Sequence, residues 1–156
     1  GQAARLARLL TLDTSDGFDD VALARQVSSG LPARAARALA DLLGGGSVIG
    51  PVVPEATLRR VRKARKPLPR EHSERLYELG RVIDAASRIF KGDESRIRAF
   101  LMRPHPLLGG ETPFDMARSS SAGGGEKTSL ASSIWLGWIA HLPSMPKAAP
   151  RRAASR

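Results

Sequence analysis

The chain has 156 residues, 42% hydrophobic and 26% charged, the proportions of a folded globular protein rather than a disordered one. At 4% aromatic its core rests on Leu, Ile, Val and Ala, which favours helices; without cysteine it has no disulfide or thiolate metal site, which suits a reducing cytoplasm. The net charge of +10 is local: residues 1–58 carry five basic and six acidic side chains, residues 59–118 fifteen and eight, and residues 119–156 five and one, pointing to an anionic partner on the middle of the chain.

In chain order, residues 3–12 predict a short helix with Leu6, Leu9 and Leu10 on one side, and residues 13–17 a turn. A second helix follows from Asp19 to Ser28. A third starts at Pro32, a residue suited to the first helical position, and ends at Leu43, with Ala35, Leu39, Leu42 and Leu43 at helical spacing. Three consecutive glycines at 44–46, then Gly50, Pro51 and Pro54, read as a loop over 44–54. The next helix spans Pro54 to Ala64 and stops before Pro67 and Pro69. The strongest periodicity lies between Glu71 and Lys91, where Leu76, Leu79, Ile83, Ala86 and Phe90 step by three and four. Gly92 closes that helix, and Asp93 caps another with Ile97, Phe100 and Leu101 inward and Pro104 as its stop.

Residues 119–125 read as a linker by composition, and 143–156 as an unstructured Pro/Ala/Arg-rich end. Between them Trp135 and Trp138 mark either a partner-binding patch or the buried anchors of a last helix. The apolar run at 134–140 is too short to cross a bilayer and no signal-peptide pattern opens the chain, so a cytoplasmic protein without membrane contact is expected.

Residues 59–66 carry six positive charges and no acid. On a helix Arg59, Arg62, Lys63 and Lys66 share a face, and such a face neutralises phosphates, giving affinity with little sequence information. Together with the preceding helix and its glycine turn, this helix resembles a helix-turn-helix in which Thr57 and Arg59, near the start, reach base edges. A solvated cationic surface is the alternative, and the glycine stretch exceeds the usual turn of about 3–4 residues.

Residues 104–117 combine a helix stop, a rigid turn and a helix start. Thr112 caps, Pro113 fits the first turn, Asp115 reaches back as in a capping box, and Gly109-Gly110 permits close approach of another backbone. The pattern Pro-x-Pro-x-Leu-Gly-Gly-x-Thr-Pro-x-Asp-x-Ala, behind helices at 75–90 and 96–103, resembles the toxin-binding domain of Xre/MbcA/ParS-type antitoxins. Upstream, Thr57-Leu58-Arg59-Arg60, Leu68 and residues 71–76 are similar to the junction between an Xre-like helix-turn-helix and that domain, so the resemblance covers about residues 20–118. It implies an all-α fold, an Xre-like helix-turn-helix bundle followed by a small helical toxin-binding domain. It also implies a RES-domain toxin partner that consumes NAD, promoter (operator) DNA as a second partner, and a homodimer or a hetero-oligomer with toxin. On this resemblance DNA contact falls to Thr57, Arg59, Arg60, Arg62, Lys63 and Lys66. Toxin contact falls to Pro106, Leu108, Gly109, Gly110, Thr112 and Pro113, with Trp135 and Trp138 beyond; for Gly109, Gly110, Thr112 and Pro113 a purely shaping role is the favoured reading. After Arg118 the sequence departs from the family, as an unrelated extension or a shifted reading frame would.

Enzyme readings find little support. Residues 123–129, Gly-Gly-Gly-Glu-Lys-Thr-Ser, put Glu126 where a phosphate loop needs Gly and lack a preceding strand. His72, His105 and His141 have no metal-ligand spacing, and His105 with Glu111 or Asp115 has no nucleophile beside it. No catalytic residue, metal site or cofactor is therefore expected. The organisation predicted is an N-terminal arm (1–18), a DNA-binding domain (19–70), a toxin-binding domain (71–118) and a divergent tail (119–156). The function predicted is an antitoxin that regulates its own promoter; the alternative is a free-standing helix-turn-helix regulator.

Overall fold

A computed structural model describes residues 1–120, and over these the chain is all-helical. The helices are α1 (Gln2–Leu9), α2 (Asp20–Ser29), α3 (Ala33–Leu43), α4 (Gly46–Ile49), α5 (Glu55–Ala64), α6 (Arg70–Ile89), α7 (Glu94–Leu101) and α8 (Pro113–Ser120), with a 3₁₀ turn at Pro106–Leu108. Trp135 and Trp138, the linker and the tail expectations lie outside the described residues.

Local chemistry sets the boundaries. Asp19 accepts the Ala22 amide and Asp93 the Arg96 amide, each satisfying a donor at a helix start. At the C-terminus of α5, Arg65 turns left-handed (φ 54°) and the Lys66 amide returns to the Val61 carbonyl, satisfying an orphan acceptor. Pro67 and Pro69 then keep the chain from re-entering a helix.

α6, twenty residues long, is the central support, contacting α1, α2, α3, α7 and α8. Its predicted seam of Leu76, Leu79, Ile83, Ala86 and Phe90 is buried throughout. Gly80 lies under Leu6 and Leu10, so α1 packs closely on α6, and Arg5 holds the nearly buried Asp84 at 3.0 Å. One hydrophobic cluster runs from Ala3 to Ala117. The leucines of α1 need the α6 surface to leave water.

The stretch 44–54 is more ordered than its glycines suggest. It holds α4, and Ile49, Val52 and Val53 are buried. The short helix-turn-helix spacing falls at α2 and α3, joined by Gly30-Leu31-Pro32, whereas α4 intervenes between α3 and α5. At that turn the Leu68 amide donates to the Leu31 carbonyl (2.8 Å), the Leu31 amide donates to Ser73 Oγ (2.8 Å), and Ser73 donates to the Leu68 carbonyl (3.3 Å). A side chain at Gly30 (φ 106°) would stand 2.4 Å from the Leu68 oxygen, so only glycine fits.

Candidate functional site: a cationic helix and a closed turn

α5 buries Val61 and rests Leu58 on the core, which leaves Arg59, Arg60, Arg62 and Lys63 exposed; Thr57 is half-buried. None of these cations has an acid within ion-pair distance among the described residues. α6 behaves oppositely: Arg70 pairs with Glu74, Arg75 with Glu71 and Arg81 with Glu78, one turn apart along the helix. The local excess of positive charge seen in the sequence thus concentrates on α5. The expectation that Lys66 continues the α5 face fails, because the left-handed Arg65 ends the helix before it; Lys66 instead edges a groove with Arg34, Arg62 and Arg65.

The second surface is built by residues 104–112. The His105 amide donates to the Glu111 carbonyl (3.1 Å) and the Gly110 amide to the His105 carbonyl (3.0 Å), closing the loop at its neck. His105 is buried beneath it: its ring lies 5.1 Å from that of Phe100, which lies 5.6 Å from Phe90, and Nε2 is 3.3 Å from the Phe100 carbonyl. Gly109 and Gly110 both have positive φ (67° and 84°), and among the described residues nothing outside their chain neighbours would stand within 4 Å of a side chain there. Both form the left-handed turn, and no backbone among the described residues approaches them closely.

Thr112 caps α8 as expected, accepting the Asp115 amide at 3.0 Å. The Asp115 carboxylate takes the Arg118 Nε at 2.9 Å. That bond, chiefly, outweighs the opposing effect of burial and, with the Thr112 hydroxyl, holds the Asp115 pKa below its ordinary value. Of the residues assigned to partner contact, Pro106, Gly109 and Gly110 are exposed, Leu108 and Thr112 are half-buried, and Pro113 is buried.

The residue that sequence reasoning passed over is Leu107. It stands at the apex of the closed turn, 75% exposed, the most exposed large hydrophobic among the described residues, with Met102 (38%) also outward. The available signal was an apolar side chain between Pro106 and Gly109-Gly110, where the neck forbids the tip from folding inward.

Residues 85–126 match the family of antitoxin Xre/MbcA/ParS C-terminal toxin-binding domains. No curated protein matches the chain. The matched residues take in α7, the closed turn with the exposed Leu107, and α8. Among the described residues no helix is long and apolar enough to cross a membrane.

Proposed function

We propose, from the match of residues 85–126 to antitoxin toxin-binding domains, that this chain is the antitoxin of a RES-type, NAD-consuming toxin, neutralising it by direct contact and binding promoter DNA through α5. The observation that carries the toxin reading is the family match over the turn at whose apex Leu107 is exposed. An exposed apolar side chain on a closed turn suits a partner pocket, because the neck already meets the backbone part of its ordering cost. DNA binding, alone or as a homodimer or hetero-oligomer with toxin, is supported by the unpaired cations of α5, of which Arg59, Arg60, Arg62 and Lys63 are exposed.

The test is co-expression of the tagged chain with the protein encoded beside its gene, followed by co-purification and an NAD-consumption assay. Expected are a stable complex and suppressed NAD consumption, both lost on Leu107→Asp while the melting temperature of the chain alone is kept. A neighbour that stays unbound and active would overturn the toxin reading. The cationic α5 would then favour the second reading, a free-standing DNA-binding regulator.

A further inference from the structure

Positive charge reaches beyond the run at residues 59–66. α3 presents Arg34 and Arg37, one turn apart and both exposed, toward α5. Two grooves lie between these helices. One, of about 590 Å³, is edged by Arg37, Arg59 and Arg62 with Asp41 and Glu55. The other, of about 410 Å³, is edged by Arg34, Arg62, Arg65 and Lys66 and by no acid. Arg62 lines both, so the two adjoin around its side chain.

We infer that this cleft cradles the sugar-phosphate backbone of DNA, with Arg34 and Arg37 of α3 as phosphate contacts facing Arg59, Arg62 and Lys66 of the other wall. The inference rests on the proposed DNA binding and extends it to two residues of α3 to which the sequence reading gave no DNA contact. Cations from two walls around an open groove suit a chain of anionic groups better than a single small anion. The Arg34 Nε donates to the Thr11 carbonyl (2.9 Å) and Nη2 to Asp13 (3.5 Å), which fixes the guanidinium at the groove edge with donors to spare. Arg37 has no ion-pair partner among the described residues. Asp41 and Glu55 line the larger groove beside Arg37 and Arg59 and weaken its hold on phosphate, so the acid-free groove of Arg34, Arg62, Arg65 and Lys66 holds the backbone more strongly and Arg37 extends it past Arg62. Contacts of this kind fix register and add affinity without reading bases.

The test uses the full chain and a mixed-sequence DNA duplex, with binding followed by fluorescence anisotropy over a range of salt concentrations. Arg37→Gln and Arg34→Gln are compared with Arg88→Gln, an exposed cation of α6 that edges neither groove. Melting curves check that each variant is folded, and Arg37→Gln removes no internal bond. Each cradle variant is expected to lower the slope of log Kobs against log salt by about 0.9, with Arg88→Gln at the parental slope. The loss of affinity should be the same on promoter DNA and on a scrambled duplex. If the parent binds and both cradle variants keep its slope, the cradle is wrong and the DNA-binding reading stands. If the parent binds no duplex even at low salt, the DNA-binding reading falls and the cradle with it. Tighter binding of a mixed-sequence RNA duplex than of DNA would overturn the assignment to DNA.

Discussion

Ser73 is the polar pin between the two halves of the chain, and Ser73→Ala removes it. Its hydroxyl is fully buried, accepts the Leu31 amide at 2.8 Å and donates to the Leu68 carbonyl at 3.3 Å. Alanine fits the same space but leaves the Leu31 amide without an acceptor beside a fully buried side chain. A buried, unsatisfied donor costs about 1–3 kcal/mol. At on the order of 4 °C per kcal/mol for a chain of this size, melting should fall by roughly 4–12 °C. Urea unfolding should show a lower midpoint with an unchanged m-value, since the surface exposed on unfolding is the same. The retained bond from the Leu68 amide to the Leu31 carbonyl should keep the variant folded. A midpoint coincident with that of the parent would refute the reasoning, by showing that water reaches this junction and satisfies the amide.

Three further outcomes follow from the same geometry. Burying a leucine side chain is worth about 1.5–3 kcal/mol, so Leu107→Ala should weaken toxin binding roughly tenfold to a hundredfold in titration calorimetry without lowering the melting temperature. Arg5→Ala strands Asp84, whose side chain is 9% exposed; because Arg5 itself is 39% exposed the loss should be about 1–3 kcal/mol in urea unfolding, below that of a fully buried pair. Asp115 has a folded pKa depressed from 3.8, chiefly by the Arg118 bond, so its contribution is complete above pH 3.8 and fades as pH falls through the lower folded value. The stability gap between the parent and Asp115→Asn, measured by thermal melting across pH, should be widest near neutrality and close in acid.

The sequence showed the helices wherever polarity and burial alternate cleanly. The seam from Leu76 to Phe90, the Asp19 and Asp93 caps and the Thr112 cap all follow from local rules that tertiary context did not override. It concealed α4, because Gly44, Gly45, Gly46, Gly50 and Pro51 outweigh Ile49, Val52 and Val53 in any reading by composition, although those three sit at helical spacing and are buried. It also concealed the α3 wall of the cationic cleft. Arg34 and Arg37 lie among alanines in a segment of balanced charge, and only the packing of α3 beside α5 gathers them with Arg62. Leu107 was hidden for a different reason: exposure at a turn apex depends on the His105–Glu111 neck, which no local pattern announces.

The two surfaces are braced by opposite ends of α6. Ser73, near its start, holds the junction of Leu31 and Leu68 behind the cationic cleft, while Phe90, just past its end, stacks on Phe100 and so supports His105 beneath the Leu107 turn. At 1.5 Å per residue Ser73 and Phe90 are roughly 25 Å apart along α6. Leu107 is uncharged, so its loss leaves the cleft's cations and their counterions in place. Leu107→Ala should accordingly leave the salt slope of DNA binding at its parental value while weakening the toxin complex. A shifted slope in that variant would mean that the fold couples the turn to the cleft, since the substitution changes no charge.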